Sequence, residues 1–246
     1  MPVLVAPAKL TLSLRVTGVR DDGYHLIDAE MVTLDLHDNV ALDEGGDGLE
    51  VHGAGGEVLA AEPPEQNLVV RALRLAGRRA RVRIDKRIPP GAGLGGGSAD
   101  AAAVLRWAGV ADLQAAAALG ADVPFCVVGG RARVRGIGEV VEPLPFVART
   151  LTLLTPPFGC ATPAVYRAWD RLGGPRADGP NDLEPAALAV EPRLAAWRDR
   201  LAEASGQAPV LAGSGSTWFV SGAFPGEGRL VCQTVPAPSP VDPLPG

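Results

Sequence analysis

Apolar and polar residues alternate from Lys9 to Val16, with Leu10, Leu12, Leu14 and Val16 set against Lys9, Thr11, Ser13 and Arg15. A period of two is that of a strand with one buried face. It predicts a half-buried strand whose polar face carries Lys9 and Thr11 side by side. A turn through 18–23 leads to Tyr24 and His25, and Val32, Leu34 and Leu36 predict a second strand over 31–36. Residues 43–56, rich in Gly and Asp, read as a loop or hairpin tip. Asn67 is placed to cap a helix that carries Leu68, Val69, Ala72, Leu73 and Leu75 and stops at Gly77. A strand is expected over 80–84.

Two Ala-rich helices follow, one over 98–107 with Ser98 as its N-cap and Gly109 as its stop, the other over 111–119. The segment from Gly120 to Phe125 breaks the second and starts a short new element. Strands are expected over 131–141, irregular at Gly136 and Gly138, and over 151–154. Helices are expected over 163–172 and around Leu194, Trp197 and Leu201. A second glycine turn, L-A-G-S-G-S-T-W-F-V, lies within 210–220 between apolar runs. Strands and helices mixed without strict alternation predict an α+β protein of two lobes. Pro143 and Pro145 mark the boundary, giving lobes at 1–143 and 144–235. The proline-rich end, 236–246, reads as a disordered tail.

The chemistry concentrates at P-P-G-A-G-L-G-G-G-S-A-D-A-A-A-V-L, residues 89–105. Five glycines in the seven positions 91–97 give up backbone rigidity, which is costly unless the main chain must approach something closely. A glycine loop that feeds a helix presents free N–H groups and the positive end of the helix dipole, an anion site suited to phosphate. Gly91, Gly93 and Gly96 satisfy G-x-G-x-x-G, but a dinucleotide fold wants a strand running straight into the glycines. Here Asp85 to Ile88 and two prolines intervene. No Lys-Ser or Lys-Thr follows the last glycine, which excludes a Walker loop.

Composition narrows the partners. The chain has 246 residues, 47% hydrophobic and 21% charged, with net charge −5. That is an ordinary soluble globular protein without the basic balance of one that coats nucleic acid or an anionic membrane. Cys126, Cys160 and Cys232 are far apart and odd in number, so free thiols in a reducing cytoplasm are expected. No targeting or transmembrane pattern is present. Of 23 basic residues only Lys9 and Lys86 are lysine. In so arginine-rich a chain, a lysine is a candidate for a place that needs a compact ammonium.

Four separated segments carry a family likeness: A-P-A-K-L-T-L-S-L with D-G-Y-H, the glycine loop, L-G-A-D-V-P-F, and A-G-S-G-S-T. Together they resemble the GHMP kinase superfamily, and within it the branch acting on a cytidyl-diphosphate-linked methylerythritol in the non-mevalonate isoprenoid route. E-Q-N-L-V-V-R-A, I-D-K-R-I-P and N-D-L-E-P-A-A-L fall in the expected order, so the likeness runs over nearly the whole chain. It implies a ribosomal-protein-S5-like N-terminal lobe and a ferredoxin-like C-terminal lobe. ATP and a small-molecule cytidyl substrate would meet in the cleft between them, with Mg²⁺ as cofactor.

The resemblance also assigns roles. Asp122 is the general base, with Lys9 beside it neutralising charge on the transferred group. Pro90, Gly91, Ala92, Gly93, Leu94, Gly95, Gly96, Gly97 and Ser98 cradle the ATP phosphates, Ser98 also reaching Mg²⁺, with Asn67 and Lys86 near the adenosine. Tyr24, His25 and Tyr166 take the cytosine, and Thr11, Thr162, Gly213 and Gly215 complete the substrate side. Each residue has a plainer reading as well: Asp122 as an N-cap, Lys9 as a solvated strand residue, Tyr166 as core packing. His25 shows no metal-ligand spacing with His37 or His52. Thr11 stands where the family usually has asparagine, and Met31 where an aromatic is common.

Three other functions compete. A GHMP kinase for homoserine, mevalonate or a sugar would have no base for D-G-Y-H and Tyr166 to stack on. A non-catalytic nucleotide-binding relative would dispense with Lys9 or Asp122. A nicotinamide-dependent oxidoreductase is disfavoured by the prolines before the loop.

Overall fold

The computed structural model describes residues 1–56 and 63–238. In chain order the strands are β1 (Val3–Val19), β2 (His25–Asp43), β3 (Leu49–Gly53), β4 (Arg81–Lys86), β5 (Arg131–Gly136), β6 (Val140–Pro143), β7 (Thr150–Leu154), β8 (Val210–Leu211), β9 (Trp218–Ser221) and β10 (Arg229–Val235). The α-helices are α1 (Leu68–Leu75), α2 (Gly96–Trp107), α3 (Leu113–Ala117), α4 (Val123–Val128), α5 (Thr162–Arg171), α6 (Glu184–Val190) and α7 (Leu194–Ser205).

β2 is the hub. One edge pairs along β1 in a long antiparallel hairpin, with register shifts between Pro7 and Lys9 and between Thr11 and Ser13. The other edge is shared by three strands in succession: β5 at Ile27–Val32, β10 at Thr33 and Leu34, and β4 at Asn39–Asp43. β10 also pairs with β7, which pairs with β9, so the last strand joins the two halves of the chain in one sheet. β3 lies parallel to β4 at the far edge. α2 packs on β1 and β2, with α1 and α4 against it.

Several expectations change here. β1 and β2 are much longer than the alternating stretches that announced them, because hairpin pairing carries both to their ends. β3 falls in the segment expected to be a loop, and α6 and β10 were not anticipated. The second Ala-rich helix shrinks to α3, where the Asp112 carboxylate accepts from the amides of Gln114 and Ala115 and so fixes the start. Residues 239–246 of the expected tail lie outside the described residues. The stretch just before them runs against the Gly129–Gly130 turn, where a Cβ on Gly129 would meet Pro238.

β1 is not half-buried. Lys9 is 5% exposed and Thr11 2%, so both faces of its middle are covered. The glycine loop supplies part of that cover, for the Lys9 amide donates to the Leu94 carbonyl at 3.0 Å.

Candidate active site

α2 begins two residues before the expected start. Its N-cap is Gly95, at φ 69°, and Ser98 sits inside the first turn rather than capping it. A left-handed backbone at Gly95 turns the chain from loop to helix. The first intrahelical bond, from the Ala99 amide to the Gly95 carbonyl, leaves the amides of Gly96, Gly97 and Ser98 free of helical partners. They face a cavity of about 320 Å³ that every residue of 90–98 lines, with Asn67, Lys86 and the apolar Val51 and Leu68. The Asn67 side chain caps α1 by accepting from the Val69 amide at 2.9 Å.

Lys86 lies at the floor of that cavity, with its ammonium 2.5 Å from Asp38 and 2.6 Å from Asp100. All three are at least 94% buried. Asp38 also accepts from the Ile88 amide at 2.8 Å. Two acids against one base leave an excess negative charge in a buried site, which favours the protonated form of the Asp100 carboxyl. Burial pushes the Asp100 carboxyl up to about 7 despite Lys86. Burial works against the Lys86 charge too, but Asp100 and Asp38 outweigh it and raise its pKa. Lys86→Met is expected to cost about 3–5 kcal/mol, the scale of an acid left buried and unpaired. An unchanged urea midpoint would contradict this.

A second cavity, of about 460 Å³, is lined by Lys9, Thr11, Tyr24, His25, Asp122, Thr162, Tyr166 and Gly213 among others. Gly93 lines both cavities and is their common wall. There the two glycine turns interlock: a Cβ on Gly93 would lie 2.7 Å from the carbonyl oxygens of Ala212 and Gly215. Gly215 therefore backs that wall and is not on the cavity surface itself.

Beside Gly93, the Lys9 stem runs under Gly95, where a Cβ would sit 2.7 Å from Lys9 Cγ. Its ammonium reaches Thr11 Oγ1 at 3.1 Å and Asp122 Oδ2 at 3.3 Å. Asp122 precedes α4 but makes no side-chain cap. Pro124 occupies a position whose N–H a cap would normally take, so the helix does not engage the carboxylate. Its side chain is 34% exposed, on the cavity side of a buried lysine.

At the other end of this cavity the His25 ring lies 4.6 Å from the Tyr166 ring and 5.6 Å from Trp169, with Nε2 2.7 Å from Asp170 Oδ1. Tyr24 is 60% exposed at the rim. Thr162 Oγ1 meets Ser214 Oγ at 2.8 Å. Asn181 and Asp182 tie the second glycine turn to β1. The Asn181 amide donates to the Leu211 and Gly213 carbonyls at 2.8 and 2.7 Å. The fully buried Asp182 carboxylate accepts from the Val16 amide at 3.0 Å and pairs with Arg15 at 2.6 Å.

Asp38, Asp100, Asp170 and Asn181 were not singled out from the sequence. The only available signals were an acid inside an Ala-rich buried helix and the N-D-L-E run. Among the described residues no three His, Cys, Asp or Glu side chains group as a metal site, and no helix is long and apolar enough to cross a membrane.

The GHMP kinases N terminal domain model matches residues 67–130. A 4-diphosphocytidyl-2-C-methyl-D-erythritol kinase of Paracoccus denitrificans is 44% identical, over 87% of this chain and 84% of the relative. One of Pelotomaculum thermopropionicum is 39% identical over 87% of each. A crystal structure of 4-(cytidine 5'-diphospho)-2C-methyl-D-erythritol kinase superposes with TM-score 0.74 at 32% identity, over 95% of this chain and 99% of the other. The structure of L. major mevalonate kinase (TM-score 0.63, 13% identity, over 96% of each chain) shares the fold. By relatedness along nearly its whole length, the chain belongs to the GHMP kinases, which are ATP-dependent small-molecule kinases, and within them to the 4-diphosphocytidyl-2-C-methyl-D-erythritol kinase family.

Proposed function

We propose that this protein transfers the γ-phosphoryl group of ATP to the 2-hydroxyl of 4-diphosphocytidyl-2-C-methyl-D-erythritol, a step in non-mevalonate isoprenoid precursor synthesis. The observation that carries the reading is the shared wall at Gly93, with an amide-lined cavity on one side and the Lys9–Asp122 pair on the other. In this reading residues 1–143 hold the phosphate loop and the reacting pair, and residues 144–235 close the cleft over the acceptor.

Phosphoryl transfer asks a protein chiefly for alignment and charge stabilisation. The free amides of Gly96, Gly97 and Ser98 and the positive end of α2 hold the ATP phosphates. Asn67 and the apolar wall at Val51 and Leu68 take the nucleoside. Lys86 supports the loop from beneath, its ammonium committed to Asp38 and Asp100. The Lys9 ammonium stabilises charge on the moving phosphoryl group. Asp122 orients the acceptor hydroxyl and takes its proton, Thr11 and Gly213 bound the space around it, and Tyr24, His25 and Tyr166 receive the cytosine.

Mg²⁺ fits what is present. It prefers phosphate oxygens and water with few protein ligands, and the Ser98 hydroxyl lines the phosphate cavity. When bound it would neutralise phosphate charge. The test is an ADP-release assay with ATP and Mg²⁺ against the cytidyl compound, homoserine and mevalonate in parallel. Turnover of the cytidyl compound alone is expected. Turnover of another acceptor instead would reassign the substrate.

A further inference from the structure

The helix α5 lays one continuous face along the acceptor cavity: Thr162, Pro163, Tyr166, Arg167 and Asp170 all line it. That spacing is one side of an α-helix, about 12 Å long from Thr162 to Asp170. The two ends of the face are already engaged. Thr162 meets Ser214 of the second glycine turn, next to Gly213 and Lys9. Asp170 and Tyr166 both meet His25. Arg167 lies between these ends.

Three basic residues line this cavity, and two are committed: Lys9 to Asp122 and His25 to Asp170. Arg167 is exposed and makes no ion pair or hydrogen bond with protein among the described residues. Its natural helical partner would be Asp170, three residues on, since acid and base at that spacing face each other. His25 occupies that carboxylate at 2.7 Å. Asp170 Oδ1 is taken by His25, and the Arg167 guanidinium stands on the wall of a ligand cavity without an ion pair among the described residues.

We infer that Arg167 is the anchor for the diphosphate of the acceptor substrate, a specificity residue beyond the base and the reacting pair. The inference rests on the cytidyl reading above. That substrate has a base at one end, a polyol at the other and two phosphates between. Arg167 stands between the Thr162 end of the face, beside Ser214 and Lys9, and the Asp170 end, beside His25. A planar guanidinium gives paired hydrogen bonds to phosphate oxygens, a geometry suited to a diphosphate. Homoserine and mevalonate offer a carboxylate but no diphosphate, so a preference for the diphosphate is what marks this role.

The test compares wild type with Arg167→Gln and Arg167→Lys. Arg167→Gln is expected to raise KM for the cytidyl substrate about 10- to 100-fold, the scale of losing charged hydrogen bonds. It should spare kcat and KM for ATP, and Arg167→Lys should recover part of the loss. Inhibition supplies a readout that a structural role would not move. Cytidine 5′-diphosphate should inhibit wild type more strongly than cytidine, and Arg167→Gln should erase that preference while cytidine inhibits as before. Because Arg167 is exposed and makes no hydrogen bond or ion pair among the described residues, the variant is expected to fold. Active wild type with an unchanged KM and an unchanged diphosphate preference in Arg167→Gln would overturn the inference alone. Wild type that neither turns over the cytidyl substrate nor is inhibited by cytidine 5′-diphosphate would overturn the substrate reading and this inference together.

Discussion

Asp122→Asn is expected to lower kcat by about 10²- to 10⁴-fold, the range a positioned general base contributes, while ATP binds as in wild type. The separation follows from placement: Asp122 lines the cavity of about 460 Å³, proposed for the acceptor, and not the glycine-loop cavity proposed for the phosphates. Asparagine keeps the shape and removes the charge and the proton acceptor. Nothing in α4 depends on the carboxylate, because Asp122 makes no side-chain cap. Asparagine does leave the buried Lys9 ammonium without its ion-pair partner, so some fall in melting temperature is expected beside the loss of kcat. Steady-state kinetics with a separate ATP titration decide the matter. A variant at the wild-type rate removes Asp122 from the chemistry. A variant that loses ATP affinity instead would place the acid on the wrong side of the Gly93 wall.

Lys9→Met is expected to lower kcat by about 10²- to 10³-fold, the effect of deleting one preorganised charge contact to the transition state. Methionine keeps most of the stem that packs under Gly95 and removes only the ammonium. Lys9→Ala would lose the charge and also open a hole in a buried position. Comparing the two separates chemistry from packing: both should lose kcat, and only Lys9→Ala should lose much stability. Arg at this position should not rescue, since Gly95 already leaves no room for a methyl group beside the stem and a guanidinium is broad and flat. A rise in KM with kcat unchanged would make Lys9 a binding residue.

The pairing of Lys9 with Thr11 on one face of a strand was legible because the period of two is local. Its burial was not, because the cover comes from Leu94 in the glycine loop and from the Gly213 turn, far along the chain. The glycine loop and the helix it feeds could be read from the run of glycines and alanines. The start of its helix could not, because Ser98 is a good cap by type while Gly95 reaches the left-handed backbone that the turn requires. Asp122 drew two equal readings from sequence, a cap or a free acid, and in the structure it caps nothing. Asp38 and Asp170 are ordinary surface-type acids in the text of the sequence. Only tertiary packing brings Asp38 beneath Lys86 and Asp170 against His25. Arg167 was one arginine among many, distinguished by an absent partner that no local pattern records. β10 shows the same limit for the fold, since its alternation is short and its pairing with both β2 and β7 is entirely non-local.

The measurement closest to the central claim is phosphorus NMR of the reaction with ATP, Mg²⁺ and 4-diphosphocytidyl-2-C-methyl-D-erythritol. Carbon 2 of the acceptor carries a methyl group and no hydrogen, so a phosphate on its oxygen has no three-bond proton coupling. The account predicts a new phosphomonoester singlet that grows in step with ADP and is absent with Asp122→Asn. A proton-coupled multiplet would mean transfer to a primary or secondary hydroxyl. No new resonance while ATP and the cytidyl compound persist would contradict the proposed reaction.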